Sequence, residues 1–186
     1  MVQATLASFD CKKLLEKKLI LNDVVQLTMP KNYAYRIDHD TGFAPHIEKN
    51  ICIMSGCKIN TIEKWATEGS WVIGIGGNNT GKPDKLIYAM KVAKNISFEQ
   101  FKEDYPEESG YLDSRYAGEN VLISYEFYYF GDKAIDLPAD LKRIIIKYQG
   151  CKCVSESDVA KLCEYIESKG YRYGKIGNPN NSNYIT

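Results

Sequence analysis

The sequence predicts an α+β fold, because extended segments lie in the middle of the chain and helical segments lie near its ends. Three stretches are rich in the β-branched and aromatic residues that favour strands: Trp71–Gly76, residues 85–93 and residues 121–131. Apolar residues recur at helical spacing in residues 10–21 and again in residues 158–169. The 186 residues suffice for one domain with its own core.

The first predicted elements are a helix and a strand that leads into a loop. Residues 10–21 place apolar side chains three and four positions apart among lysines and acids, which is typical of an amphipathic helix. The stretch YAYRI at residues 33–37 predicts a short strand. The following DHDTGFAPH contains Gly42 and Pro45, which exclude regular structure there.

The central elements are predicted to be a short helix, two paired strands and a capped helix. Residues 61–67 allow one or two helical turns before a glycine. Trp71–Gly76 and residues 85–93 are predicted to pair across a loop rich in Gly and Asn. Ser97 and Gln100 have the spacing of a capping box, so a helix should begin there.

The C-terminal third is predicted to combine one long strand with two helices. Residues 104–120 are predicted to form an acidic loop, and residues 121–131 are predicted to form the longest strand. Residues 141–148 are predicted to be helical because they follow a proline, and residues 158–169 have the clearest helical period. The tail, residues 178–186, lacks apolar periodicity and should be loose.

Charge and cysteine content narrow the class of protein. Lys plus Arg and Asp plus Glu both number 24, which argues against a large basic surface for nucleic acid, so we expect any such contact to be local. Six cysteines without a secretory signal predict reduced thiols in the cytoplasm. No apolar run approaches the length of a membrane span, so we expect no membrane contact.

Residues 76–83, GGNNTGKP, carry the G-x-x-x-x-G-K skeleton of a phosphate-binding loop. Pro83 stands where that loop needs Ser or Thr, and the next segment is a predicted strand rather than a helix. We therefore predict a hairpin loop and no ATP site.

Both histidines lie close to acids, at His39 and His46. With the cysteines that follow, their spacing is H-x6-H-x5-C-x4-C, which matches no common zinc signature, so neither a metal nor a cofactor is predicted. Together with Asp38, His39 and Asp40 are the obvious general acid and base, and they are the candidate catalytic residues.

The sequence Phe127-Tyr128-Tyr129-Phe130 is the densest aromatic cluster. Strand alternation would send Phe127 and Tyr129 to one face and Tyr128 and Phe130 to the other. One pair would then belong to the core, and the other could form a stacking wall for a nucleobase.

Several longer motifs resemble a known family. YAYRIDHDTGFAPH, EGSWVIGIGG, KLIYAMKVAKNISFEQF and VLISYEFYYFGDKAIDLP occur in this order and resemble the second of the nucleotide modification associated domain families of phages and bacteria. Their order is also similar to PUA-like domains such as EVE, YTH and ASCH. The resemblance implies a small mixed β-barrel or strongly curved sheet with flanking helices over residues 31–177. Residues 1–30 fall outside the resemblance and are predicted to be a helical extension, and residues 178–186 are predicted to be a flexible tail.

The resemblance also implies a function and a set of ligand-binding residues. We expect a recognition module that binds a modified or unusual nucleobase or nucleotide, free or in DNA, in connection with DNA base modification or phage–host conflict. The expected pocket residues are Asp40, Phe43, Lys58, Tyr88, Tyr128, Tyr129 and Phe130.

Two alternatives to this recognition module stay open, and the oligomeric state is not determined. One is a nucleotide-modifying or base-modifying enzyme that uses Asp38, His39 or Asp40 as acid or base. The other is an assembly or inhibitor protein that acts through the helix of residues 10–21. The absence of an evident nucleophile beside a base favours binding over catalysis.

Overall fold

The computed structural model describes residues 31–56, 62–110 and 119–181. The predicted helix at residues 10–21 and the predicted pocket residue Lys58 lie outside these ranges. The described strands and helices confirm the α+β class. None of the described helices is both long and apolar enough to cross a membrane.

Ten strands lie in the described residues. They are β1 Asn32–Ile37, β2 His46–Glu48, β3 Ile51–Met54, β4 Trp71–Gly76, β5 Leu86–Lys91, β6 Lys94–Ser97, β7 Asn120–Ser124, β8 Glu126–Tyr129, β9 Cys151–Val154 and β10 Gly174–Lys175. The α-helices of the same residues are α1 Ile62–Trp65, α2 Phe98–Asp104, α3 Pro106–Ser109 and α4 Glu156–Ser168. Short 3-10 helices cover Asn78–Thr80, Gly131–Lys133 and Ala139–Ile144.

The strands form two sheets. The larger sheet has six strands in the order β10-β8-β5-β4-β1-β9, and the smaller has four in the order β2-β3-β7-β6. In the larger sheet, β1 runs parallel to β4 and β10 runs parallel to β8, whereas the other neighbours are antiparallel. Among the described strands no pairing joins the ends of either sheet, so neither closes into a barrel.

The segment between β4 and β5 has the predicted hairpin form. β4 and β5 pair antiparallel, and only a three-residue 3-10 helix, Asn78–Thr80, lies between them. Gly81 ends that helix with a φ of 70°, a left-handed conformation that glycine adopts readily. Since no α-helix follows these glycines, the arrangement of a phosphate-binding loop is absent from this described segment.

The core is organised in layers on either side of the larger sheet. On the face that α4 covers, Tyr128 and Phe130 pack in one cluster with Leu162 and Ile166 of α4. The opposite face, which packs against the smaller sheet, includes Tyr35, Tyr88, Phe127 and Tyr129. A third cluster joins the far side of the smaller sheet to α2 through Ile53, Phe98, Phe101, Val121 and Ile123. The predicted alternation of residues 127–130 between two faces is therefore confirmed.

Three predicted elements differ from the structure. The predicted loop of residues 104–120 contains α3, Pro106–Ser109. Residues 121–131 do not form one strand: the chain leaves the smaller sheet after Ser124, turns at the exposed Tyr125 and enters the larger sheet at Glu126. Residues 141–148 do not form an α-helix, since the helical part is the 3-10 segment Ala139–Ile144. Its buried Leu141 and Ile144 are three positions apart, which suits the three-residue period of a 3-10 helix.

The start of α2 agrees with its capping signal. The Ser97 hydroxyl accepts a hydrogen bond from the Gln100 backbone N–H at 3.1 Å, so α2 begins where predicted. The Gln100 side chain does not return to Ser97 but donates to Asp104 at 2.9 Å. The capping box is therefore formed on one side only.

Candidate functional site

A pocket of about 360 Å³ lies beside the loop that follows β1. Residues 41–47 supply most of its lining, including Phe43 and His46. Tyr129 of β8, Lys175 of β10 and Pro179 complete it. The pocket therefore combines three segments that are far apart in the sequence.

The loop at this pocket has a defined backbone. Gly42 has a φ of 79°, and a Cβ added there would lie 2.6 Å from Cγ of Pro179. The Ala44–Pro45 peptide bond is cis. His46 donates from Nδ1 to the Gly42 carbonyl oxygen at 2.9 Å, because a carbonyl can only accept. This bond orients the imidazole at the edge of the pocket.

Asp40 lies directly behind the pocket and is buried, with 2% of its surface exposed. The Tyr129 hydroxyl donates to Asp40 Oδ1 at 2.7 Å, and the Asn180 backbone N–H donates to Oδ2 at 3.2 Å. The Asn181 backbone N–H donates to the Asp40 carbonyl at 2.8 Å, and its side-chain oxygen accepts from the Asp40 N–H at 2.9 Å. Asp40 therefore ties Tyr129 and the C-terminal segment to the pocket loop.

The electrostatics of this pair keep the phenol protonated. Burial raises the pKa of Asp40, while the hydrogen bonds from Tyr129 and Asn180 act in the opposite direction and the nearby Asp132 carboxylate raises it further. Burial also raises the pKa of Tyr129, and the Asp40 charge adds to that rise. The Tyr129 proton consequently points at Asp40, and both Asp40 oxygens are already occupied. Asp40 acts here as a positioning residue.

The segment after β10, residues 177–181, is attached to the domain rather than loose. The Asn178 backbone N–H donates to Asp132 Oδ1 at 2.8 Å, and the Asp132 N–H donates to the Asn178 carbonyl at 2.8 Å. A Cβ on Gly177 would lie 1.8 Å from the Phe130 carbonyl oxygen, so only glycine fits this close approach. Residues 178–181, for which the lack of apolar periodicity predicts a loose tail, are held to the domain by these hydrogen bonds and by those to Asp40.

Two of the predicted ligand-binding residues meet at this pocket. Phe43 lines it and also packs against the cluster between the smaller sheet and α2. Tyr129 forms the floor, but with 0% of its surface exposed it supports the lining rather than presenting an open stacking face.

Other predicted residues lie elsewhere. Tyr88 is in the core, where its hydroxyl donates to the Tyr35 hydroxyl at 2.8 Å. Tyr128 and Phe130 face α4, with their rings against Tyr173 at 4.7 Å and Tyr171 at 5.1 Å respectively. None of these three is part of the pocket lining.

The candidate catalytic residues do not form a site together. His39 lies beside Asp38, with Nδ1 3.3 Å from a carboxylate oxygen, and it does not line the pocket. Asp40 is engaged with Tyr129. In residues 31–56, 62–110 and 119–181, no three His, Cys, Asp or Glu side chains are grouped as a metal site requires.

Lys175 and His46 line the pocket although no sequence pattern indicated them as ligand-binding residues. Lys175 belongs to a strand of two residues that pairs in parallel with β8, where it stands opposite Tyr129. A strand this short has no periodicity, so the sequence carries no local signal for it. Its position becomes evident only from the pairing.

Comparisons with known proteins give one family and a distant likeness to solved structures. The family model described as nucleotide modification associated domain 2 matches residues 29–109 and 102–185. A crystal structure of ASCH from Zymomonas mobilis is 12% identical and covers 72% of this chain and 94% of its own, with a TM-score of 0.38. A point mutant of that protein is 13% identical and covers 72% and 97%, also at 0.38. No curated protein matches the sequence significantly.

Proposed function

The chain belongs to the nucleotide modification associated domain 2 family, and we propose that it is a recognition module for a modified or unusual nucleobase. The base occupies the pocket between the 41–47 loop, Lys175 and Pro179. The observation that carries this proposal is the convergence of Phe43 and Tyr129 on one hollow.

The size and composition of the pocket suit one flat heterocycle. Its volume of about 360 Å³ is at the lower end of the range of about 300–1,000 Å³ for small-molecule sites. Phe43 supplies an aromatic face, and Pro45, Ile47 and Pro179 add apolar contacts. Thr41, His46 and Lys175 supply the polar groups that orientation and specificity need.

The surroundings of the pocket support binding without large conformational change. Asp40 fixes the Tyr129 hydroxyl, and the Asn180 and Asn181 contacts hold the Pro179 wall next to Gly42. A pocket held in place before binding spends less of its interaction energy on ordering.

The two alternatives have less support from the described residues. For an enzyme, His39 would have to act away from the pocket, and Asp40 would have to give up the Tyr129 hydrogen bond. The assembly hypothesis depends on residues 10–21, which lie outside the described ranges, and it stays a prediction.

Equilibrium titration tests the proposal. Nucleotides and short oligonucleotides with modified and unmodified bases are titrated into the wild type, Phe43→Ala and Tyr148→Ala. Tyr148 is a matched control because it is aromatic, 66% exposed and not part of the pocket lining.

We expect a modified base to bind more tightly than its unmodified counterpart. Phe43→Ala should weaken that binding by about 5- to 150-fold, which corresponds to the ~1–3 kcal/mol of one base–aromatic stack. Tyr148→Ala should bind like the wild type. Equal and negligible binding of every ligand by the wild type would remove the proposal, and unchanged binding by Phe43→Ala would move the site elsewhere.

A further inference from the structure

Among the described residues that line the pocket, Lys175 is the one lysine, and no arginine, aspartate or glutamate lies with it. Within the described residues it has no carboxylate partner, since no ion pair involves it. Several other lysines are paired with carboxylates: Lys49, Lys64, Lys85, Lys91 and Lys147. The charge of Lys175 is thus available to a ligand in the pocket.

The backbone holds Lys175 at the edge of the pocket floor. β10 runs parallel to β8 with Lys175 opposite Tyr129, and the Ile176 N–H donates to the Tyr129 carbonyl at 2.8 Å. The Lys133 ammonium donates to the Ile176 carbonyl at 3.1 Å, which brings a second positive charge to the same edge. Asp132, the acid of this edge, accepts a hydrogen bond from the Asn178 N–H, and no ion pair joins it to Lys175.

The lining of the pocket has an apolar part and a charged part. Phe43, Pro45 and Ile47 offer apolar surface, whereas Lys175 lies on another segment of the chain and is exposed. A nucleotide has the same division, because its base is flat and largely apolar on its faces and its phosphate is anionic. Lysine binds phosphate as a point charge and needs no fixed geometry for that contact.

We propose that Lys175 binds a phosphate group of the ligand, so that the pocket takes a nucleotide, free or within a strand, rather than a free base or a nucleoside. This inference rests on the proposed function, because it assigns the charged end of the ligand whose base packs against Phe43. The Thr41 hydroxyl, which accepts from the Phe43 N–H at 3.4 Å, keeps its own hydrogen for a ligand oxygen or nitrogen.

The test compares ligands that differ only in the phosphate. The probes are 2′-deoxycytidine, 5-hydroxymethyl-2′-deoxycytidine, thymidine and 5-hydroxymethyl-2′-deoxyuridine, each as the nucleoside and as the 5′-monophosphate. A tetranucleotide that contains the tightest-binding base adds the strand form. The variants are Lys175→Met, Lys175→Arg and, as a control with the same charge change, Lys161→Met on the exposed face of α4.

We expect the wild type to bind a monophosphate at least about tenfold more tightly than the nucleoside with the same base, as a hydrogen bond to a charged group predicts. Lys175→Met should abolish this preference, so that nucleoside and monophosphate bind equally, whereas Lys175→Arg and Lys161→Met should retain it. Tighter binding of the tetranucleotide than of the monophosphate would identify a strand as the source of the phosphate, and the reverse order would identify a free nucleotide.

The failures of the two proposals differ. Equal binding of nucleoside and monophosphate by the wild type, or a preference that persists in Lys175→Met, would overturn the role of Lys175 and leave the proposed function in place. Absence of binding for nucleosides, monophosphates and the tetranucleotide would overturn both. Because Lys175 is exposed, Lys175→Met should unfold at the wild-type temperature, which shows that lost binding is not lost folding.

Discussion

Gly42 is the residue at which the pocket wall can be tested most simply. Gly42 and Gly170 both have a left-handed φ, of 79° and 84° respectively. A Cβ on Gly170 would meet nothing within 4 Å, whereas a Cβ on Gly42 would lie 2.6 Å from Pro179. Gly170→Ala therefore measures the cost of the left-handed backbone alone, about 1–2 kcal/mol.

We expect Gly42→Ala to lower the free energy of unfolding by more than Gly170→Ala does, because Pro179 must move in addition. Urea unfolding of both variants gives the comparison. Equal losses would mean that the 41–47 loop and Pro179 separate freely, and the pocket wall would then not be rigid.

The Tyr129 hydroxyl provides a second test at this scale. Tyr129→Phe leaves the buried Asp40 carboxylate with one donor fewer, which should cost about 1–3 kcal/mol of unfolding free energy. Tyr128→Phe is the matched control, since that hydroxyl donates at 3.2 Å to Glu167, an exposed acid that water can solvate. Denaturant unfolding should show the larger loss for Tyr129→Phe, and a smaller loss than for Tyr128→Phe would contradict the role given to Asp40.

The raised pKa of Asp40 predicts a pH dependence of stability. In the folded protein burial favours the protonated form of the Asp40 carboxyl. As pH rises above the ordinary carboxyl pKa of about 3.9, the unfolded chain therefore loses this proton at a lower pH than the folded protein does. The stability that Asp40 contributes is therefore present below that value and is lost as pH rises toward the raised folded pKa.

Asp40→Asn removes this titration. We expect the unfolding free energy of the wild type, minus that of Asp40→Asn, to fall as pH increases from about 4 to neutrality. Unfolding curves at several pH values measure this difference. A difference that rises over the same range would contradict the raised pKa of Asp40.

Sequence reasoning selected some residues of the pocket and missed others for clear physical reasons. Phe43 and Tyr129 belong to motifs long enough to be noticed, and both lie at the pocket. Alternation separated Tyr128 from Tyr129 correctly, but it does not tell which face lies under a cavity. Lys175 had no local pattern, because its place depends on the pairing of β10 with β8.

At the scale of elements, the C-terminal segment is expected to be part of the pocket. Residues 177–181 supply Pro179, the donor to Asp40 Oδ2 and the contacts with Asp132. Deleting residues 177–186 should cost about 2 kcal/mol or more of unfolding free energy, since several hydrogen bonds of about 0.5–1.5 kcal/mol each are lost. Nucleotide binding should also be lost, because the deletion removes Pro179 from the pocket lining.

Deleting residues 182–186 alone is the control for this truncation. Its stability and nucleotide affinity, measured by thermal unfolding and titration, should match the wild type. If the longer deletion also matched the wild type, the contacts of residues 177–181 would contribute nothing to the pocket.

The elements show where sequence patterns are sufficient. The apolar period of residues 158–169 predicted α4, and the apolar runs predicted β4 and β5. These predictions succeed because each pattern extends over most of the element that it predicts. Residues 121–131 contain no glycine or proline before Gly131, so the break at Tyr125 has no local signal. It arises because β7 pairs with β3 and β6, whereas β8 pairs with β5 and β10.

At the scale of the whole molecule, the charge balance predicts how binding to a strand depends on salt. The chain has no net formal charge, and each phosphate contact on a single strand contributes a slope of roughly −0.7 in a plot of log K against log salt. With Lys175 as the principal contact, we expect a slope of about −0.7 to −1.4 for the tetranucleotide. Titration at several salt concentrations measures it.

A slope of about −4 or steeper would contradict this small footprint. It would indicate an extended basic interface, which the balanced composition argues against, and it would place the nucleic-acid contact outside the pocket.

The α+β class followed from composition and pattern, but the layered arrangement of two sheets depends on pairings between distant strands, such as β1 with β4 and β9.

Nucleotide binding in this pocket can be observed directly in a crystal structure of the wild type with the monophosphate that binds most tightly. We expect the base to lie against Phe43, above the floor formed by Tyr129, with its phosphate next to the Lys175 ammonium. A nucleotide bound elsewhere on the protein, with this pocket empty or filled by its own side chains, would contradict it.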